Sequence, residues 1–201
     1  MTDNFAHRAN DWDSPEKIKM TDTFVAAVLK KTELSNTWKG LEIGAGTGLV
    51  GLQILPKIKE MVFEDTSEAM LNVLKQKLNG TEPVEIVHGE IFEYNKQDID
   101  FVCSCMAFHH IPDIDLALNH LSQICKKDAL IAIGDIRTED GSFHRFEPIP
   151  HKGFDTDKLT KQFESAGFSV LSADTYNVMK RERTPGLVTE YEQFLLIAIK
   201  K

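Results

Sequence analysis

Residues 41–48, Leu41-Glu42-Ile43-Gly44-Ala45-Gly46-Thr47-Gly48, close a short apolar run with one carboxylate and then set glycine at every second position. Glycine is needed where backbone turns with positive φ, or where a flat ligand comes too close for a β-carbon. The stretch therefore reads as a ligand-cradling turn between a strand and a helix. Gly46-Thr47-Gly48-Leu49-Val50-Gly51 also satisfies the G-x-G-x-x-G dinucleotide fingerprint. Downstream, Asp65 stands just outside the apolar run Val62-Phe63 and before Ser67. At the carboxyl edge of a parallel sheet it can accept charge-assisted hydrogen bonds from both hydroxyls of a ribose, and it is preferred over Glu64 for that role. A third acid, Glu90, follows the next run in Val87-His88-Gly89-Glu90-Ile91-Phe92. There a carboxylate can accept from an adenine amino group while the adjacent backbone meets a ring nitrogen.

Four of the 7 histidines, His109, His110, His144 and His151, fall in expected loops on the same side. Imidazole titrates near working pH, so one of them can serve as general base toward an acceptor hydroxyl or amine. His110 is favoured as that base, being close to the helix-starting Pro112, with His151 as its neighbour. No two histidines have the i, i+4 spacing of a helical metal site and the cysteines form no paired motif, so no metal site is expected. Cys103 and Cys105 are two apart on an expected buried strand, share a face and pack in the core.

The elements that must position these residues alternate. A helix is expected over 24–34, a strand over 38–43, the glycine turn, and a helix whose apolar spacing runs from Leu49 to Pro56. Strand 61–63, helix 67–78, strand 84–87, strand 99–106, helix 114–124 and strand 129–133 follow, with Ser67 and Asp113 as caps. Alternation of this kind implies a parallel sheet covered on both faces. Residues 137–153 form a polar loop containing Gly141, Pro148 and Pro150, longer than a simple connection. The chain ends in a helix over 155–166, a strand over 168–178, a charged connector over 180–185 and a strand over 191–199, the last two strands forming an edge hairpin.

Composition narrows the function. The chain has 201 residues, 42% of them hydrophobic and 27% charged, with 23 basic and 31 acidic side chains giving a net charge of −8. That is a soluble globular composition for one domain, 1–201, with no linker to split it. The negative charge opposes the broad phosphate contact used by nucleic-acid binders. No apolar run reaches the roughly 18 residues of a membrane span, and the polar first twenty residues give no secretory signal. With 3 cysteines, too few for a disulfide framework, the expected setting is cytoplasmic. No feature specifies an oligomeric state.

Together the Leu41–Gly48 turn, Asp65 and Glu90-Ile91 resemble the first motif, ribose acid and adenine-binding pair of the class I S-adenosylmethionine-dependent methyltransferases. Residues 101–113 are similar to the strand and loop that end in His-His-x-Pro in small-molecule members, including ubiquinone-pathway enzymes. The resemblance implies a Rossmann-like, doubly wound, seven-stranded and mostly parallel α/β sheet whose last strand inserts antiparallel as part of a C-terminal hairpin. It implies S-adenosyl-L-methionine as cofactor, held by Trp12, Glu42, Gly44, Ala45, Gly46, Gly48, Asp65, Thr66, Glu90, Ile91 and Met106. A small-molecule acceptor is methylated by in-line displacement at the sulfonium carbon. The segment from Phe5 to Pro15 looks like the family's Phe-x-x-x-Ala-x-x-Trp-Asp opening, so residues 1–36 are read as a helical lid, with an aromatic face near the sulfonium. The sequence departs from the family at Glu90, usually Asp, and at residues 125–129, which replace a Lys-Pro-Gly-Gly turn. It also lacks the Asn/Asp-Pro-Pro-aromatic motif of enzymes that methylate amino groups of bases and glutamine. The alternatives are a nicotinamide-dependent oxidoreductase using Gly46 to Gly51, and a non-catalytic S-adenosylmethionine-binding regulator.

Overall fold

Strands and helices alternate along the chain in the computed structural model, which describes residues 5–144, 149–184 and 186–201. Pro148 in the long loop and Pro185 in the connector lie outside the described residues. The helices are α1 (Pro15–Lys31), α2 (Gly51–Ile54), α3 (Glu68–Lys77), α4 (Ile114–Ile124) and α5 (Thr156–Ser165). The strands are β1 (Lys39–Ile43), β2 (Glu60–Asp65), β3 (Val84–His88), β4 (Ile99–Cys105), β5 (Cys125–Ile136), β6 (Phe168–Thr184) and β7 (Leu187–Lys200).

The seven strands form one sheet in the order β3-β2-β1-β4-β5-β7-β6. Pairing is parallel from β3 through β5, and β7 runs antiparallel to both β5 and β6. A period of two splits the core between the faces. Leu41, Ile43, Val62, Val102, Ile131 and Ile133 pack against Leu118 and Leu121 of α4 and Leu159 and Phe163 of α5. Phe63, Phe101, Cys103 and Ala132 pack against Phe24 and Val28 of α1, Ile54 of α2 and Leu71 and Leu74 of α3. Cys103 and Cys105 share this second cluster, as their spacing predicts. Strand order reverses between β1 and β4, and ligands of open α/β sheets bind beyond the carboxyl ends of the strands at such a switch point.

Local chemistry explains the boundaries. Ser67 and Asp113 cap α3 and α4 by accepting from the Met70 and Leu116 N–H groups at 3.2 and 2.9 Å. Helix α1 starts well before the expected residue 24, because Ser14 accepts from the Lys17 N–H and Pro15 sits in the first turn. Phe24 and Val28 of α1 are fully buried. Helix α1 is thus built into the core, and residues 5–14 precede it; residues 1–4 of the expected lid lie outside the described residues. The expected connector over 180–185 is replaced by strand up to Thr184, since Lys180, Arg181 and Glu182 pair with Glu190, Thr189 and Val188. Strand β5 begins at Cys125, earlier than residue 129, and Asp128 there takes a positive φ of 65°.

Candidate active site

At the switch point the glycine turn leaves β1 with Gly44, Gly46 and Gly48 all at positive φ. Gly44 meets both demands on glycine, since a β-carbon would stand 2.3 Å from the Ala107 β-carbon besides straining a φ of +65°. That contact also places the loop after β4 directly against the turn. Asp65 closes the turn from β2: its Oδ2 accepts from the Gly46 N–H at 2.6 Å and its Oδ1 from the Ser67 N–H at 2.8 Å. The carboxylate is half-buried and fixed at the sheet edge. Thr66 beside it is exposed.

Glu42 and Glu64 lie under the turn rather than facing outward. Glu42 is buried, and its Oε2 accepts from the Gly51 N–H at 2.8 Å, holding the start of α2 to β1. Burial pushes its carboxyl up to about 8, against the opposing effect of that hydrogen bond. Glu64 accepts from the Gly44 N–H at 3.4 Å, and burial, then repulsion from Asp65, pushes it up to about 8. On the far side of β2, Glu90 is exposed and precedes a short 3-10 turn, Ile91–Glu93, in which Ile91 is buried.

The N-terminal segment crosses above the turn. Ala6–Asp11 forms a 3-10 helix anchored by buried Ala9, and the Trp12 indole nitrogen stands 3.7 Å from where a Gly46 β-carbon would be. Asp13 then latches the segment: the Thr47 hydroxyl donates to its carboxylate, and Lys77 bridges the Asp13 carboxylate and the Thr47 carbonyl, each at 2.6 Å. The Lys17 ammonium sits over the Trp12 ring, 2.8 Å from its centroid. Phe5 meets Trp12 and His110 edge-on, at 5.7 and 5.5 Å between centroids.

Beyond β4 and β5 the chain gathers imidazoles. Met106, at the end of β4, adopts a φ of 58° and donates its N–H to the Gly134 carbonyl at 2.8 Å, which turns the chain into the His109-His110 loop. His109 is buried, and its Nδ1 lies 2.7 Å from the Asp135 carboxylate, whose other oxygen accepts the His109 backbone N–H at 3.0 Å. A carboxylate on Nδ1 assigns the proton there and leaves Nε2 as the lone-pair nitrogen. His109, His110 and His144 crowd together, with ring centroids at 4.2, 4.7 and 5.5 Å. Burial, then the neighbouring His109, pushes His110 down to about 4, and the same causes push His144 down to about 3. Both rings are therefore neutral at neutral pH. The β6–β7 hairpin backs the segment that carries His144, with the Arg181 guanidinium 4.2 Å from the Phe143 ring centroid and the Tyr191 hydroxyl 2.6 Å from that of Ser142.

The structure places both expected histidines at this loop, where the His151 N–H also donates to the His109 carbonyl at 3.3 Å. His110 stands beside His109 and His144, whereas the Nε2 of His151 is 3.0 Å from the Ile111 carbonyl and its ring lies against Phe154. The expectation of no metal site rested on spacing along the chain, and three imidazoles meet here through the fold instead. Asp135 and the Asp13–Lys77 latch were missed by sequence reasoning. The available signal for Asp135 was a lone acid at the end of the apolar run of β5.

Residues 41–131 match a family model described as a methyltransferase domain. The chain is 24% identical over 163 residues to an uncharacterized methyltransferase of Schizosaccharomyces pombe, covering 69% of this chain and 57% of that protein. It is 28% identical over 160 residues to an uncharacterized methyltransferase of Oceanobacillus iheyensis, covering 78% and 66%. A demethylmenaquinone methyltransferase of Staphylococcus aureus is 28% identical over 109 residues, covering 52% and 45%. The chain thus spans from 45% to 66% of the length of these relatives. Among solved structures, one chain in a complex between the Haloferax volcanii Trm112 methyltransferase activator and a methyltransferase superposes with a TM-score of 0.82 at 15% identity, covering 99% and 98%. A S-adenosylmethionine-dependent methyltransferase from Aquifex aeolicus superposes with a TM-score of 0.70 at 21% identity, covering 98% of both chains. Residues 41–131 are thus similar to a methyltransferase domain, and the whole chain shares its fold with these solved methyltransferase structures.

Proposed function

We propose that this chain holds S-adenosyl-L-methionine over the glycine turn and transfers its methyl group to a small-molecule acceptor bound beside the His109-His110 loop. The observation that carries this reading is the close approach of Gly44 to Ala107, which sets the positive-φ turn directly against the loop that carries His109 and His110. The residues fit the cofactor. Asp65, held at the turn by the Gly46 and Ser67 N–H groups, sets a carboxylate where a pair of ribose hydroxyls would meet it. The Ile91 N–H begins a 3-10 turn and is not used by that turn's own bonding, so with exposed Glu90 it offers a donor and an acceptor to adenine. Glu42 is assigned to shaping the turn, with Ala45, Gly48 and Thr66 supplying backbone at its rim. Trp12 and Met106 close the sulfonium side.

When bound, the cofactor supplies an electrophilic methyl on a positively charged sulfur. The protein's part is to position, to exclude water and to take a proton. Trp12 covers the turn, held by the Asp13–Lys77 latch. His109, oriented by Asp135, receives the acceptor's proton at Nε2, and His110 lines the same approach. An in-line attack then needs only the acceptor's lone pair aligned with the methyl carbon.

A small acceptor is supported by the net charge of −8, by the absence of the Asn/Asp-Pro-Pro-aromatic motif, and by the demethylmenaquinone methyltransferase among the relatives. The oxidoreductase reading loses support from the sheet, since dinucleotide-binding folds keep the sixth strand parallel and here β7 is inserted antiparallel. The test is incubation with methyl-labelled S-adenosylmethionine and a panel of hydroxyl, amine and thiol small molecules. S-adenosylhomocysteine and a labelled product are expected with at least one member. Normal cofactor binding without turnover on any of them would favour the non-catalytic regulator.

A further inference from the structure

We propose that His109, His110 and His144 form a binding site for a divalent first-row transition ion, best matched by zinc(II), at the acceptor side of the cofactor cleft. Each offers one ring nitrogen, and the three nitrogens lie within 4.8 Å of one another. Three imidazoles on one ion are a recurring catalytic zinc set, leaving a fourth position for water or a ligand oxygen or sulfur. A lone general base accounts for one imidazole and leaves the other two unexplained.

Three observations point to a shared electrophile. The Nε2 of His109 and the Nδ1 of His144 are both buried without a hydrogen-bond partner, a costly state for two polar atoms facing one cluster. Asp135, fully buried, binds the Nδ1 of His109 at 2.7 Å, the carboxylate–histidine arrangement that fixes tautomer and ring orientation behind a metal ligand. Asp135 is itself fixed by the Ile136 N–H at 2.7 Å and the His109 N–H at 3.0 Å, so the ligand has a rigid support. Phe5 and Phe143 form an apolar shell beside His110 and His144. In tetrahedral zinc the ligand nitrogens stand roughly 3.4 Å apart at Zn–N distances of about 2.1 Å, so side-chain rotations of His110 and His144 close the set.

This inference rests on the methyltransferase reading and changes one role in it: with the ion bound, the His109 Nε2 would be a ligand, and the raised acidity of a hydroxyl or thiol acceptor on the ion would replace His109 as the means of releasing the proton, to solvent; the ion's binding is measured without turnover. Untagged full-length protein, stripped with a chelator, is titrated with cobalt(II) while d–d absorption is followed, and with zinc(II) in competition. One ion per chain with tetrahedral-type cobalt bands is expected. His144→Gln, which keeps the loop's bulk, should weaken binding at least tenfold and bleach those bands. Asp135→Asn should weaken it by about 10- to 100-fold, the range for lost support behind a ligand. S-adenosylhomocysteine affinity, measured on the same samples, should stay within a few-fold. The proposal is overturned if the protein binds no stoichiometric cobalt or zinc, or if His144→Gln binds both as the parent does, which would place the ion at other histidines. Failure to bind S-adenosylhomocysteine would count against the methyltransferase reading alone.

Discussion

Replacing Asp65 by alanine separates a cofactor-binding acid from a structural one. In the structure its two oxygens accept from Gly46 and Ser67, at 2.6 and 2.8 Å, so the carboxylate is pre-oriented at the edge of the turn. Hydrogen bonds to a charged group contribute ~1.5–3 kcal/mol, and losing the ribose contact should weaken S-adenosylhomocysteine binding by roughly 10- to 150-fold. Loss of the Gly46 and Ser67 contacts should also lower stability, by ~1–3 kcal/mol, because two backbone donors lose their acceptor. Asp65→Asn isolates the two effects, since its amide oxygen still accepts one backbone N–H while the charge that strengthens the ribose bonds is gone. Calorimetric titration gives the affinities, and urea unfolding gives the stabilities. Glu64→Gln is the control: buried beneath the turn, it should change stability and leave affinity within a few-fold. Unchanged affinity in Asp65→Ala, with the loss appearing in Glu64→Gln, would refute the assignment.

Cofactor binding should change Trp12 emission and protect the first fourteen residues from proteolysis, with Trp38 as internal control; Asp13→Ala, which removes the partner of Lys77 and Thr47, should abolish the protection, and equal cleavage rates with and without ligand would remove the lid. The folded Glu42 carboxyl is raised to about 8 from an ordinary 4.5, so its contribution to stability is fully present below pH 4.5 and is lost as pH rises through 8. Glu42→Gln should therefore flatten the fall in unfolding free energy, measured by urea denaturation, over that window by up to ~1.4 kcal/mol per pH unit, and an unaltered slope would show that Glu42 is ionised throughout. His109→Ala should lower turnover on a hydroxyl acceptor by roughly 10²–10⁴-fold. His151→Ala, whose ring contacts are the Ile111 carbonyl and Phe154, should keep most activity, and the reverse ranking would restore His151 to the reaction.

Much of this architecture is legible in the residues because it depends on local chemistry. Alternate glycines at 44, 46 and 48 predict a positive-φ turn, and all three adopt one; Ser67 and Asp113 predict caps and make them. The edge hairpin is legible for the same reason, through two long apolar alternations at the end of the chain. Where the prediction fell short, the deciding force came from outside the local pattern. The first turns of α1 carry few apolar residues, so periodicity alone starts the helix at Phe24, although Ser14 and Pro15 begin it. Charged Lys180, Arg181 and Glu182 read as a connector but extend β6, because cross-strand pairing with β7 needs backbone and not apolar side chains. The histidine cluster joins positions 109 and 144 across β5, and no spacing rule along the chain reports such a meeting. Asp135 was hidden for a related reason: inside an apolar strand an acid gives no hint of the imidazole that makes its burial tolerable.

Isothermal titration of the unmodified chain with S-adenosylmethionine, S-adenosylhomocysteine and NAD tests the central claim most directly. The account predicts binding of one equivalent of each sulfur cofactor, with heats abolished when S-adenosylhomocysteine is preloaded, and no heat from NAD. Saturable binding of NAD, or no binding of either sulfur compound, would contradict it.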